Sequence, residues 1–152
     1  MITYRVTIPA QEVLNECMDQ VSLDFRAIRA TAGANVDRSY DDFILSTDEK
    51  EQFVVEFQSA VTELCAEYPA ALGLLVLSEA RMSMDISLSR MQPLESVERM
   101  LKDWLKARML GWWYRTRNAD LFQMQAVKAS EAGERLLSAF NPSCTVRRLR
   151  YF

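Results

Sequence analysis

Residues 93–140 read PLESVERMLKDWLKARMLGWWYRTRNADLFQMQAVKASEAGERLLSAF, nearly a third of the chain, and their period decides the class of fold. Leu94, Val97, Leu101, Trp104, Leu105, Met109 and Trp112 recur along one helical face. Glu95 with Arg99 and Glu98 with Lys102 are favourable i,i+4 pairs on the other. A single helix of this span exceeds ordinary length. The expectation is therefore a helical hairpin, with helices over 93–117 and 118–140 and Asn118 capping the second. One bent helix is the alternative. Phe122, Ala126, Ala129, Gly133, Leu136, Leu137 and Phe140 stripe the second half, and Asn141-Pro142 ends it.

Working outward toward the N-terminus, Met82, Met84, Ile86 and Leu88 alternate with Ser83, Asp85, Ser87 and Ser89, the period of a half-buried strand. Together with the apolar run Leu74 to Leu77 this predicts one or two strands; a helical reading of Ala70 to Ala80 stays open, because a short apolar run does not distinguish the two. Ser46 and Glu49 have capping-box spacing and start a helix over 47–68 that Pro69 stops. An earlier helix over 9–29 carries Val13, Leu14, Cys17, Met18, Val21, Phe25 and Ile28 on one face, with Pro9 in its first turn. Residues 1–8 alternate as a strand. The fold class is mainly α, of the α+β kind: a helical bundle with a long C-terminal hairpin, short accessory strands and an extended arm over 142–152, all in one domain 1–152.

Composition limits the chemistry. At 152 residues, 49% hydrophobic and 26% charged, the chain suits one globular domain with a real core. It contains no histidine, which removes the commonest general base and transition-metal ligand. No Gly-rich phosphate loop, G-x-S-x-G elbow or H-E-x-x-H helix occurs. Cys17, Cys65 and Cys144 lack C-x-x-C spacing and read as reduced thiols. Asp37, Asp41 and Asp42 lack the ligand spacing and central glycine of an EF-hand. No catalytic, cofactor-binding or metal site is expected. The N-terminus lacks signal-peptide character and the longest apolar run is too short to span a membrane, so the expectation is a product made in the cytoplasm.

Charge and aromatics point toward association. Residues 1–76 hold 13 acidic and 5 basic side chains, and residues 77–152 hold 8 and 13. Either the halves pack together and neutralise one another, or opposite poles serve head-to-tail contacts between copies in a ring. Met109 to Tyr114 has no polar side, so it is a central core helix or else Trp113 and Tyr114 anchor another subunit. Val146, Arg147, Arg148, Leu149, Arg150, Tyr151 and Phe152 form a basic arm ending on two aromatics. Arg147, Arg148 and Arg150 are a small footprint for nucleic acid in an acidic protein, so any DNA contact is at most indirect, and an interface role on another protein surface is expected.

The successive amphipathic helices, the run from Pro93 to Phe140 with Trp104, Trp112 and Trp113, and the arm Val146 to Phe152 resemble the head completion or neck connector proteins of tailed bacteriophages. The resemblance covers residues 47–152. It implies a non-catalytic virion structural protein, made in the host bacterial cytoplasm, that forms a ring of its own copies under the portal, meets portal and tail or neck proteins, and reaches neighbours through terminal arms. The strands over 1–8 and 82–88 depart from the pattern and leave room for a tail-completion protein. A cytosolic helical adaptor that binds a protein partner is the alternative.

Overall fold

The computed structural model describes residues 2–32, 43–88 and 91–140. The arm expected over 142–152 lies outside the described residues. The order of elements is β1 (Ile2–Pro9), α1 (Ala10–Ala32), α2 (Lys50–Glu67), β2 (Leu72–Leu77), β3 (Arg81–Leu88), α3 (Leu94–Tyr114) and α4 (Ala119–Phe140). The class is mainly α with a small antiparallel sheet.

The alternation of β3 places Met82, Met84, Ile86 and Leu88 on one face, and all four are fully buried. This strand is the centre of a three-stranded sheet of order β1-β3-β2. β1 runs antiparallel to it from Ile2 opposite Leu88 to Pro9 opposite Arg81. β2 pairs on the other side from Leu72 opposite Ile86, with a bulge between Leu74 and Val76. Ser78, Glu79 and Ala80 form the three-residue loop between β2 and β3, and Ser78 closes it by accepting at Oγ from the Arg81 N–H at 3.3 Å. The stretch whose reading stayed open is thus a strand hairpin. Helices cover the face bearing Val6, Ile8 and the β3 apolar set. On the other face Arg5 meets Asp85 at 3.1 Å, the Thr7 and Ser83 hydroxyls lie 2.8 Å apart, and Val76 stands exposed opposite Ser83.

Pro9 differs from its expected place in a first helical turn. It is the last residue of β1, on an edge strand where its missing N–H leaves no ladder bond unmade. α1 begins at Ala10, whose N–H donates to the Ala80 carbonyl at 2.8 Å and ties the helix start to the hairpin loop. It also runs to Ala32, three residues past the expected end, because Ala30 and Ala32 favour helix and Gly33 is the first breaker.

Ser46 caps the next helix through a short 3₁₀ turn, Thr47–Glu49. Its backbone N–H donates to Glu49 Oε2 at 3.0 Å, and its Oγ accepts from the Asp48 N–H at 3.3 Å. Ser46→Ala is expected to lower stability by about 1 kcal/mol. A change under about 0.3 kcal/mol in the urea-unfolding free energy would show that the cap is dispensable.

The hairpin expectation holds over one bent helix. α3 ends at Tyr114, and Asn118 Oδ1 accepts from the Leu121 N–H at 3.0 Å to start α4. α3 is the hub of the fold and packs against α1, α2, α4 and β1.

Candidate interaction surface

α2 and α4 both lie against α3 and leave a valley between them with α3 as its floor. Helical spacing builds each side. On α4, Phe122, Ala126, Ala129, Gly133 and Leu137 form one stripe. On α2, Glu56, Glu63 and Glu67 form the opposing acidic wall. Trp104, Ala107, Arg108, Gly111 and Trp112 make the floor. The valley comprises two adjoining clefts of about 500 and 550 Å³ that share Arg108 and Ala129. The floor is open above Gly111, where a β-carbon would meet nothing within 4 Å.

Polar groups in the valley fall into two sets. Arg108 is engaged, at 3.1 Å from Glu63 and 3.7 Å from Glu56. The indole N–H groups of Trp104 and Trp112 have no hydrogen-bond partner among the described residues, and Glu67 and Glu134 have no ion-pair partner there. Gln125 is only 1% exposed, and its Nε2 is buried without a partner. An amide in that state costs about 1–3 kcal/mol of desolvation. At one end the valley is bridged: Tyr68 donates from its hydroxyl to the Gly133 carbonyl at 3.0 Å, and its ring meets Phe140 edge-on with centroids 5.3 Å apart.

Of the two roles open to Trp113 and Tyr114, core packing or anchoring another subunit, the structure places both side chains in the core, 2% and 0% exposed. The Trp113 indole donates to the Phe43 carbonyl at 2.7 Å, and the Tyr114 hydroxyl donates to Asp24 Oδ2. Burial, followed by the Asp24 hydrogen bond, holds the Tyr114 phenol well above its ordinary pKa. The face turned outward belongs to their neighbour Trp112, half-buried over Phe53 with ring centroids 6.2 Å apart. Trp112 reads in the sequence as part of the apolar face of this helix, and Gln125 is unmarked there. The signal available for Gln125 was its register with Ala132, Leu136 and Ala139, the other buried positions of α4.

Three cations of the second half meet carboxylates of the first within the subunit, among the described residues. Arg99 pairs with Glu16 at 3.0 Å, Lys102 with Glu12 at 2.6 Å, and Arg108 with Glu56 and Glu63. Each joins a cation of the second half to a carboxylate of the first. These side chains are therefore occupied before any neighbour arrives, and as exposed or half-exposed pairs each contributes no more than about 1 kcal/mol.

The arm residues Val146, Arg147, Arg148, Leu149, Arg150, Tyr151 and Phe152 lie outside the described residues, as do Cys144 and the loop aspartates Asp37, Asp41 and Asp42. Among the described residues no group of three or more His, Cys, Asp or Glu could hold a metal ion. Burial raises the thiols of Cys17, to about 12, and of Cys65, which suits inert packing rather than nucleophilic work. No described helix is long and apolar enough to cross a membrane. Compared with known proteins, the chain matches no family model, no curated protein and no solved structure.

Proposed function

We propose that this chain is a non-catalytic structural subunit of a tailed-phage particle, a ring-forming head–tail connector of the head completion or neck type, or a tail-completion protein. The valley over α3 is the observation that carries this reading. It combines an apolar wall, indole donors, a buried amide and carboxylates, several of them without a partner among the described residues, in one surface. Such a surface gains most when another polypeptide covers it, because each buried donor then finds an acceptor. α4 supports the same reading. Of its length only Gln125, Ala132, Leu136 and Ala139 are buried, while Met124 and Val127 stand 38% and 57% exposed.

A connector is tested in the particle, where it has its partners. Deleting the gene from a phage that carries it is expected to leave filled or leaking heads without tails, and supplying the full chain should restore infectivity. Normal tailed particles from the deletion would end the connector reading. A second reading, a helical adaptor, is favoured by Glu67 and Glu134, which line the valley without an ion-pair partner among the described residues and suit a basic segment of another protein. In that case the chain is absent from purified particles.

A further inference from the structure

Among the described residues nothing pairs with the outer side of β2, which ends the sheet order β1-β3-β2. Its sequence, Leu72-Gly73-Leu74-Leu75-Val76-Leu77, holds no charge and no proline, the devices that keep a bare edge from pairing. The other edge has both: β1 carries Arg5, paired with Asp85, and ends on Pro9. Leu74, Leu75 and Val76 stand 40%, 48% and 42% exposed. Water thus meets three successive apolar side chains beside a row of open backbone groups.

The order of those residues says what fits. Read backwards, the strand is Leu-Val-Leu-Leu-Gly-Leu, the same as forwards but for an exchange of glycine and valine. The bulge at Leu75 extends the symmetry to the faces. Leu72 opposite Ile86 and Leu77 opposite Met82 both lie on the buried face of the sheet, and Gly73 opposite Asp85 and Val76 opposite Ser83 both lie on the other. Without the bulge, a strand of this length would set its two ends on opposite faces. Backbone direction follows the same pattern. The Ala71 carbonyl accepts from the Ser87 N–H and the Ser78 N–H donates to the Arg81 carbonyl, so both face β3, and alternation turns Leu72, Leu74 and Leu77 outward. Of their groups, the Leu72 N–H is taken by the Tyr68 carbonyl at 3.0 Å.

We propose that β2 pairs antiparallel with β2 of a second copy of this chain about a twofold axis, Leu72 opposite Leu77, Gly73 opposite Val76 and Leu74 opposite Leu75, so that two three-stranded sheets join into one. A twofold contact uses the same surface on both copies, and a strand that reads alike in both directions matches faces and outward backbone groups at both ends. Val76 of each copy then lies beside the space left by Gly73 of the other. Charge fits the same occupant. The neutral strand sets no like charges opposite one another, and Glu67, which has no ion-pair partner among the described residues, comes to the same end of the contact as the other copy's exposed Arg81. The contact is independent of the connector reading, because head-to-tail contacts close a ring whereas a twofold contact joins two copies.

The test is disulfide trapping in the full-length chain with Cys65→Ser and Cys144→Ser; Cys17 stays, buried and unreactive. Copies carrying Gly73→Cys are mixed with copies carrying Val76→Cys and oxidised mildly. Both positions are exposed, and a β-carbon at Gly73 meets only the Asp85 carbonyl, at 3.9 Å. As a pair without hydrogen bonds between them, the two residues have α-carbons about 4.5 Å apart, within reach of a disulfide. A covalent pair holding one copy of each kind is the expected product. Two copies of the same variant place their cysteines about 10 Å apart along the strands and should stay unlinked. In parallel, Leu75→Lys, at an exposed position, sets two cations beside the axis and should weaken self-association measured by sedimentation by about tenfold or more. The proposal is overturned if the mixed pair does not form, if either variant links to itself as readily, or if Leu75→Lys sediments like the unsubstituted chain. A chain that is monomeric at every concentration also overturns it and leaves the edge to a strand of another protein. None of these results touches the connector reading, which falls only if normal tailed particles form without the chain.

Discussion

Trp113→Ala is expected to lower the unfolding free energy by about 3–5 kcal/mol, a large share of the roughly 5–15 kcal/mol that holds a domain of this size. Three losses combine. The indole is 2% exposed in the last turn of α3, so its removal leaves a cavity among residues that cannot fully close it. Its N–H donates to the Phe43 carbonyl at 2.7 Å, and Phe43 stacks in turn on Phe25 and Tyr114, with centroids 5.6 and 5.7 Å away. Its face carries the Arg117 guanidinium at 3.5 Å, and that side chain also donates to the Trp113 carbonyl at the hairpin turn. Trp113→Phe keeps most of the packing and should cost about 1–3 kcal/mol, chiefly for the carbonyl left without its donor. Urea unfolding at 25 °C decides it. A loss under about 1 kcal/mol for Trp113→Ala would mean that the ring is peripheral and that the aromatic cluster does not organise the core.

The same residue shows where reading a sequence stops. β3 was legible because its period of two is unbroken from Met82 to Leu88, and the Asn118 cap was legible because a short polar residue interrupts a long helical run. Met109 to Tyr114 offers no such contrast. Every side chain in it is apolar or aromatic apart from Gly111, so periodicity cannot say which ring faces inward, and Trp112 and Trp113 exchange roles in the structure. The pairing of β1 with β3 is equally silent, since it joins residues about 80 positions apart through backbone bonds that any strand can make. Gln125 was hidden for the opposite reason. A lone polar residue on a helix is ordinary, and only the packing of α4 on α3 shows that its amide has been carried out of water. The uneven charge of the two halves was visible at once, but its use was not. Ion pairs such as Lys102 with Glu12 depend on α3 lying across α1, which no local pattern encodes.

Raising the pH above about 9 is expected to lower the stability of this protein progressively. The Cys17 thiol, 1% exposed against α3, is raised from 9.0 to about 12, chiefly because burial penalises the thiolate. In the unfolded chain the same thiol ionises near 9. Between these values the unfolded state binds fewer protons than the folded state, so stability falls by about 1.4 kcal/mol per pH unit. The effect is absent below pH 9, grows through the window and amounts to about 4 kcal/mol by pH 12. The Tyr114 phenol acts in the same direction from about pH 10 upward, since burial and the hydrogen bond to Asp24 hold its proton in the folded state. Cys17→Ala separates the two contributions. It costs some packing at pH 7, but its urea midpoint should fall less steeply than that of the unsubstituted chain between pH 9 and 10, before tyrosine contributes. Parallel pH profiles for the two proteins across that interval would show that Cys17 keeps an ordinary pKa in the fold, and with it that the seat of this thiol against α3 is open to water.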